Sequence, residues 1–224
     1  MVVGAGAGGL ELAYSVQHRG RSEGWTHLQV SLLGSDAMPL SGAPESARRR
    51  ALALLEERGI RWLGNLRAQA LRDHQVVFDA GAPINFDACW LATGAAAPGW
   101  LGTSGLALDE RGFVRVTNTL QSVGHPHVFA AGDVASLEQP GEPLPRSGVY
   151  AVRAGPPLAR NLRAFCTEAT LQPWSPQERA LYLVSTGDRN ALGIWGDWSW
   201  QGRWAWYWKR HIDRAFVDGY SRSA

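Results

Sequence analysis

The stretch MVVGAGAGGLELA, residues 1–13, decides how the rest of the chain is read. Gly4, Gly6 and Gly9 fall in a G-x-G-x-x-G pattern, with Gly8 beside the third glycine. Gly-rich turns are common, and a plain structural turn would use the same residues. The flanking elements therefore carry the reading. Val2 and Val3 are the stub of a buried strand, and Leu10–His18 reads as a helix. In that setting Gly4 permits a tight turn, Gly6 lets a pyrophosphate touch the backbone, and Gly9 lets helix and strand pack closely. The helix N-terminus offers free N–H groups and a partial positive charge to phosphates.

Working outward, residues 1–100 alternate strand-like and helix-like patterns. Leu28–Leu33 is a buried-strand candidate, and a helix is expected from near Pro44 to Gly59. IRWL (60–63), QVVFD (75–79) and FDACWLATG (86–94) all read as strands. Strands alternating with helices imply an α/β fold with a parallel sheet. GFVRV (112–116) and HVFAAGD (127–133) follow, then a helical stretch from Ser147 to Phe165. Pro156 and Pro157 inside it are expected to bend or break that helix. From Leu171 the texture changes to antiparallel strands with Gly turns, then a helix over Arg203–Val217.

Composition excludes several classes. A formal charge of +2 argues against broad nucleic-acid binding. The N-terminus carries no Lys or Arg before its apolar stretch, which makes a poor signal peptide. No apolar run is long enough to span a bilayer. The two cysteines, Cys89 and Cys166, lack metal-ligand or C-x-x-C spacing, so a reducing, cytoplasmic setting is expected. Both read as structural, Cys89 as a small buried hydrophobe. His125 and His127 flank Pro126 and read as turn residues rather than metal ligands. No Ser-His-Asp, zinc or P-loop pattern is visible, and no metal site is expected.

Two acids bear on the first motif. An acid at the end of the second strand would bind the ribose 2′-OH of NAD. Asp36 stands just beyond that strand, in a late register, and is either the ribose ligand or a solvated loop residue. No Arg sits there to favour NADP, so NADH is the expected nucleotide. Glu11 either points into the cleft from the helix or is an exposed first-turn acid stabilised by the helix dipole.

Three further stretches, ATGAAAPGWL (92–101), VFAAGDVA (128–135) and SGVYAVRAGPPLARNL (147–162), follow the glycine turn in order. Together these motifs resemble the FAD/NAD(P)-linked pyridine nucleotide-disulfide oxidoreductase family, in its type II NADH dehydrogenase-like branch. Within that branch the chain is most similar to variants found upstream of, or fused to, a selenophosphate synthetase (selenide, water dikinase) domain, which have a comparable Trp-rich C-terminal segment. The resemblance covers essentially the whole chain.

The resemblance implies a Rossmann-like NAD(P)H-binding domain over 1–100, the C-terminal portion of an FAD-binding domain over 101–165, and a small C-terminal α+β Trp-rich segment over 166–224. Gly4, Gly6, Gly8 and Gly9 would form the NAD(P)H turn, with Glu11 where the family's extended motif carries a glutamate. Thr93 and Gly94 would close that domain. Gly132 and Asp133 resemble the flavin motif, in which the carboxylate accepts hydrogen bonds from the FAD ribityl chain. A helix starting near Arg146–Gly148, with Gly148 and Val149 in its first turn, would aim its N-terminus at the flavin pyrimidine. Ala154 stands where the family often has Gln, near the acceptor site, which weakens the case for a quinone. Relatives carry a complete FAD-binding half before the NAD(P)H turn, so this chain resembles the C-terminal part of a longer flavoprotein. The implied activity is hydride transfer from NAD(P)H to FAD and on to an acceptor such as a quinone. The alternative is a non-catalytic nucleotide-binding or docking module for a selenophosphate synthetase partner.

Trp is 11 of 224 residues, and six of the eleven fall between Trp195 and Trp208. On a helix of about 100° per residue, Trp204, Ala205, Trp208, Ile212, Ala215 and Phe216 gather on one face. Arg203, Arg210, Asp213 and Arg214 lie opposite, with Lys209 and His211 at the edges. Four basic residues against Asp213 leave +3 on Arg203–Val217. Such a face must be buried somewhere. Three partners are open: the chain's own flavin domain, a peripheral contact at the inner face of a membrane, or a subunit or fused domain.

Overall fold

Val2 and Val3 suffice as a strand because each is buried on a different side of a sheet. In the computed structural model, which describes residues 1–138 and 144–221, β1 (Val2–Val3) pairs in parallel with β2 (Ser31–Leu33). Side chains alternate across a strand. Val2 and Leu32 therefore join one hydrophobic cluster, with Leu10, Ala13, Tyr14, Leu54 and Leu55. Val3 and Leu33 join a second, with Val76 and Phe78.

Between these strands runs α1 (Ala7–Ser22), longer than the expected Leu10–His18. Gly9, Leu10, Ala13, Tyr14 and Gln17 form its buried stripe, at the spacing a helix needs to present one face. α2 (Glu45–Glu57) follows Pro44, buries Ala47, Ala51, Leu54 and Leu55, and ends before Gly59. β3 (Arg61–Leu63) pairs in parallel with β2.

The next segment departs from simple strand–helix alternation. β4 (Ala68–Arg72), β5 (Gln75–Phe78) and β6 (Ile84–Asn85) form an antiparallel sheet where a crossover helix would otherwise stand. Val76 and Phe78 pack it on the side of the parallel sheet opposite α1 and α2. β7 (Trp90–Leu91) then returns beside β1, giving the parallel order β3-β2-β1-β7. The fold is Rossmann-like α/β.

Gly94–Ala180 makes a separate compact unit. Its sheet contains β8 (Val114–Val116), β9 (Gln121–Ser122), β10 (His125–Phe129) and β11 (Ala135–Leu137) in the order β10-β9-β8-β11. Only the β8–β11 pair is parallel. α3 (Gly148–Cys166) runs continuously through Pro156 and Pro157, contrary to the expected bend or break. The two prolines deprive the carbonyls of Val152 and Arg153 of donors. Both residues are exposed, so water can serve those carbonyls. Asn161, buried in α3, donates to the carbonyls of Thr119 (2.9 Å) and Gln172 (2.8 Å) and accepts the Gln172 N–H (2.9 Å).

The chain then re-enters the first unit, which comprises Met1–Thr93 and Leu181–Ala224. β12 (Leu181–Ser185), β13 (Ala191–Trp195) and β14 (Trp198–Gly202) form an antiparallel meander. Val184, Leu192 and Ile194 join the cluster around α1 and α2. Gly193 lies mid-strand rather than in a turn, because a Cβ there would sit 2.2 Å from the Trp200 ring. α4 (Arg203–Ser221) packs on this meander, burying Ala205 and stacking Trp204 and Trp208 with Trp200 at centroid distances of 5.6–6.5 Å. From Arg210 to Ser221 every residue is exposed. The expected apolar face is thus only partly covered. The part that is covered packs on the meander of its own unit.

Candidate functional site

The glycines of the first turn do three separate jobs. Gly4 has φ +108°, and a Cβ there would meet the Ala92 carbonyl oxygen at 2.3 Å and the Thr93 nitrogen at 2.9 Å. It is the tight turn, closed by the chain leaving β7. Gly9 is buried, and a Cβ on it would lie 1.8 Å from the Gly4 oxygen. It lets α1 sit against the turn. Gly6 and Gly8 are exposed, with nothing within 4 Å of a Cβ on either. Gly6 caps α1, and the helical ladder starts with Leu10 N–H donating to the Gly6 carbonyl at 3.1 Å. The earlier N–H groups of the first turn have no partner inside the helix. Bare backbone, open space and a helix N-terminus fit the phosphates of a dinucleotide.

The loop after β2 returns to this turn, since Leu40 N–H donates to the Ala5 carbonyl at 2.9 Å. Asp36 lies on that loop. Its carbonyl accepts the Asn65 N–H at 3.0 Å, and its carboxylate accepts the Ser35 hydroxyl at 3.3 Å. Arg48, on α2, ties down the same loop by donating to the Met38 and Pro39 carbonyls at 3.3 and 3.4 Å. Thr93 ends the N-terminal segment of the first unit and Gly94 begins the second unit.

Glu11 is placed differently from the glycines. Its Oε1 accepts the Ser185 N–H at 2.7 Å and faces Lys209 Nζ at 3.3 Å. It is neither a solvated first-turn acid nor a free one. The pairing of Ser185 and Lys209 with Glu11 escapes sequence reasoning because both lie more than 170 residues away.

In the second unit, Gly132 has φ +72° and opens a 3-10 turn, Gly132–Val134, at the end of a sheet strand. A Cβ on Gly132 would touch Ala151 of α3 at 3.4 Å. The turn therefore packs on the first turns of α3, bringing Gly132 and Asp133 to the same end of this unit as Gly148 and Val149. The Asp133 side chain is exposed, and a carboxylate so placed can accept hydroxyl hydrogen bonds. Arg146, just before α3, braces the turn from behind. Its Nε donates to the Asp133 carbonyl at 3.2 Å, its guanidinium pairs with Asp109 at 3.4 Å, and it lies 3.5 Å from the Phe113 ring centroid. Burial would raise the Asp109 carboxyl. The Phe113 N–H, the Ser136 hydroxyl, the Arg111 N–H and the Arg146 charge together hold it below its ordinary value. Ala154 is buried in a cavity lined also by Leu120, Tyr150 and Trp174.

Cys89 is half-buried against the Val3 cluster, and Cys166 is exposed at the end of α3. Neither is in a disulfide, and among the described residues no group of His, Cys, Asp and Glu could hold a metal.

Residues 1–155 match the pyridine nucleotide-disulphide oxidoreductase family. The chain belongs to that family. Its members are FAD-dependent oxidoreductases that use NAD(P)H. Among this family member's relatives, mouse apoptosis-inducing factor 3 is 32% identical over 144 residues, which are 61% of this chain and 22% of the relative. The type II NADH:quinone oxidoreductase of Haemophilus influenzae is 27% identical over 202 residues, 86% of this chain and 45% of the relative. The sulfide:quinone oxidoreductase of Aquifex aeolicus superposes with a TM-score of 0.75 at 18% identity, over 96% of this chain and 57% of that one. The chain spans from about a fifth to about half the length of the curated relatives it matches.

Proposed function

We propose that this pyridine nucleotide-disulphide oxidoreductase chain binds NADH at the glycine turn and contributes the ribityl-binding and pyrimidine-facing elements of a flavin site. The observation that carries the reading is the division of labour in the turn: Gly4 and Gly9 are closed by backbone, while Gly6 and Gly8 stay open. The nucleotide site comprises residues 1–100, with Gly4, Gly6, Gly8 and Gly9 for the pyrophosphate, Asp36 for the ribose, Glu11 beside it, and Thr93 and Gly94 at the return. Gly132, Asp133, Gly148 and Val149 belong to the flavin side, within 101–165. FAD, when bound, supplies the hydride acceptor. The chain's own residues bind, orient and offer a helix N-terminus to negative charge. A quinone-type acceptor is supported by the names of two relatives, the NADH:quinone and the sulfide:quinone oxidoreductases.

The reading extends to a cytoplasmic protein in reversible contact with a membrane surface. No described helix is long and apolar enough to cross a membrane. On α4, however, Trp204, Trp208, Ile212 and Phe216 are 42–55% exposed, flanked by Arg203, Arg210 and Arg214. Aromatic rings suit the interface and basic side chains suit anionic headgroups.

The decisive test is calorimetric titration of the chain with NADH and NADPH, with Gly6→Val as control. NADH should bind, NADPH no better, and Gly6→Val should abolish binding. Equal binding by wild type and Gly6→Val removes the glycine turn from the reading. The alternative, a nucleotide-binding module docking on a selenophosphate synthetase partner, predicts NADH binding without any NADH-dependent reduction when the flavin-binding half is supplied.

A further inference from the structure

We infer that the C-terminal segment sets the position of Glu11 in the nucleotide site, with Lys209 as a positioning residue. The inference rests on the nucleotide reading above. Glu11 stands on α1 two residues after Gly9, close to the open turn. Its Oε1 takes both the Ser185 N–H at 2.7 Å and the Lys209 ammonium at 3.3 Å. The two side chains are shielded, Lys209 being 25% and Glu11 33% exposed. Ser185 is the last residue of β12, so its main-chain N–H is held by the meander and cannot swing away. Lys209 is held in turn by Asp213 one helical turn on, at 3.3 Å.

Both contacts fall on Oε1 and anchor the carboxylate at that oxygen. Oε2 is left to accept a hydrogen bond from the bound nucleotide, from a ribose hydroxyl or a carboxamide N–H. A free glutamate loses rotamer freedom when it engages a ligand. Here that ordering is complete before the ligand arrives, which raises affinity by preorganisation. The basic helix and its meander are therefore part of the nucleotide site, although they carry no nucleotide-binding motif.

The test is NADH titration of the full chain carrying Lys209→Met, Lys209→Arg, Glu11→Gln, or Lys209→Met with Glu11→Gln, each checked by thermal unfolding. Lys209→Met should weaken NADH binding by roughly 3- to 10-fold, as loss of a charge-assisted hydrogen bond implies. Lys209→Arg should restore most of it. The double variant should bind no more weakly than Glu11→Gln alone, because Lys209 acts only through Glu11. Glu11→Gln keeps the side-chain shape, so it tests the coupling even where Lys209→Met unfolds. Binding by a folded Lys209→Met within twofold of wild type, or losses that multiply in the double variant, would overturn the inference while leaving the nucleotide reading intact. A wild-type chain that takes up no NADH overturns both.

Discussion

Arg58 and Asp188, 130 residues apart in sequence, form an ion pair of 2.9 Å between the end of α2 and the turn joining β12 to β13. The same guanidinium donates to the Thr186 carbonyl at 2.9 Å. Asp188 also accepts from the Thr186 hydroxyl at 2.6 Å and from Asn190 at 3.0 Å. Both side chains are shielded, 15% and 28% exposed. With Glu11, this pair is a polar fastening between the C-terminal meander and the helices of the Rossmann-like layer. Arg58→Met leaves the carboxylate without its cation and should cost about 1–3 kcal/mol, read as a drop in Tm.

The same pair sets an acid limit. Burial alone would raise the Asp188 carboxyl, but hydrogen bonds from Thr186, Arg58 and Asn190 and the Arg58 charge outweigh it and bring the pKa to about 2. A carboxyl whose pKa is lower folded than unfolded stabilises the fold above its unfolded pKa. That contribution, at most about 2 kcal/mol, is lost as pH falls from near 4 through the folded value. Asp188→Asn should lower Tm at pH 7 and flatten the Tm decline between pH 5 and 2. An unchanged acid limb in the variant would assign that decline to other carboxylates.

Gly6 and Gly9 should separate binding from folding. Gly6 has φ −74° and open space beyond it. Gly6→Ala should therefore change stability by less than about 0.5 kcal/mol while weakening NADH binding. Gly9→Ala drives a methyl into the Gly4 carbonyl, which backbone cannot evade cheaply, and should cost about 1–3 kcal/mol or more. Paired thermal unfolding and NADH titration check both. A destabilised Gly6→Ala would mean the open face is needed by the fold itself.

Residues 1–224, expressed alone, should purify colourless. On the proposed reading, Gly132, Asp133 and the start of α3 serve only the ribityl and pyrimidine ends of FAD, and the single G-x-G-x-x-G of residues 1–224 serves NADH. An absorbance spectrum with near-stoichiometric flavin would show that Gly132–Asp133 and α3 suffice, and would reassign the glycine turn.

Salt-sensitive binding to anionic, but not neutral, vesicles is expected in co-sedimentation. Each basic residue near such a surface contributes about 1 kcal/mol. Arg210→Glu with Arg214→Glu should abolish the binding, and Ile212→Ser with Phe216→Ser should weaken it. No binding to anionic vesicles leaves the exposed face of α4 to a protein contact.

The first thirteen residues were enough to place the strand, turn and helix of a dinucleotide fold, because close backbone approach leaves glycine as the only residue that fits at Gly4 and Gly9. Pro44 and Gly59 likewise bracketed α2, and amphipathic spacing located most of α4, because start and stop signals and side-chain periodicity are local properties of sequence. Other features were decided by contacts that no local pattern encodes. Asn161 looks like a polar interruption of α3, and only the folded chain brings it the Thr119 and Gln172 backbone. The helix survives Pro156 and Pro157 because Val152 and Arg153 face solvent there. β4–β6 replace a crossover helix because Val76 and Phe78 have a sheet face to cover. Glu11, legible as an acid beside the turn, owes its partners Ser185 and Lys209 to the return of the chain after the second unit. Hydrogen bonds and ion pairs act over about 3 Å of space, and separation along the chain leaves no trace of them in sequence.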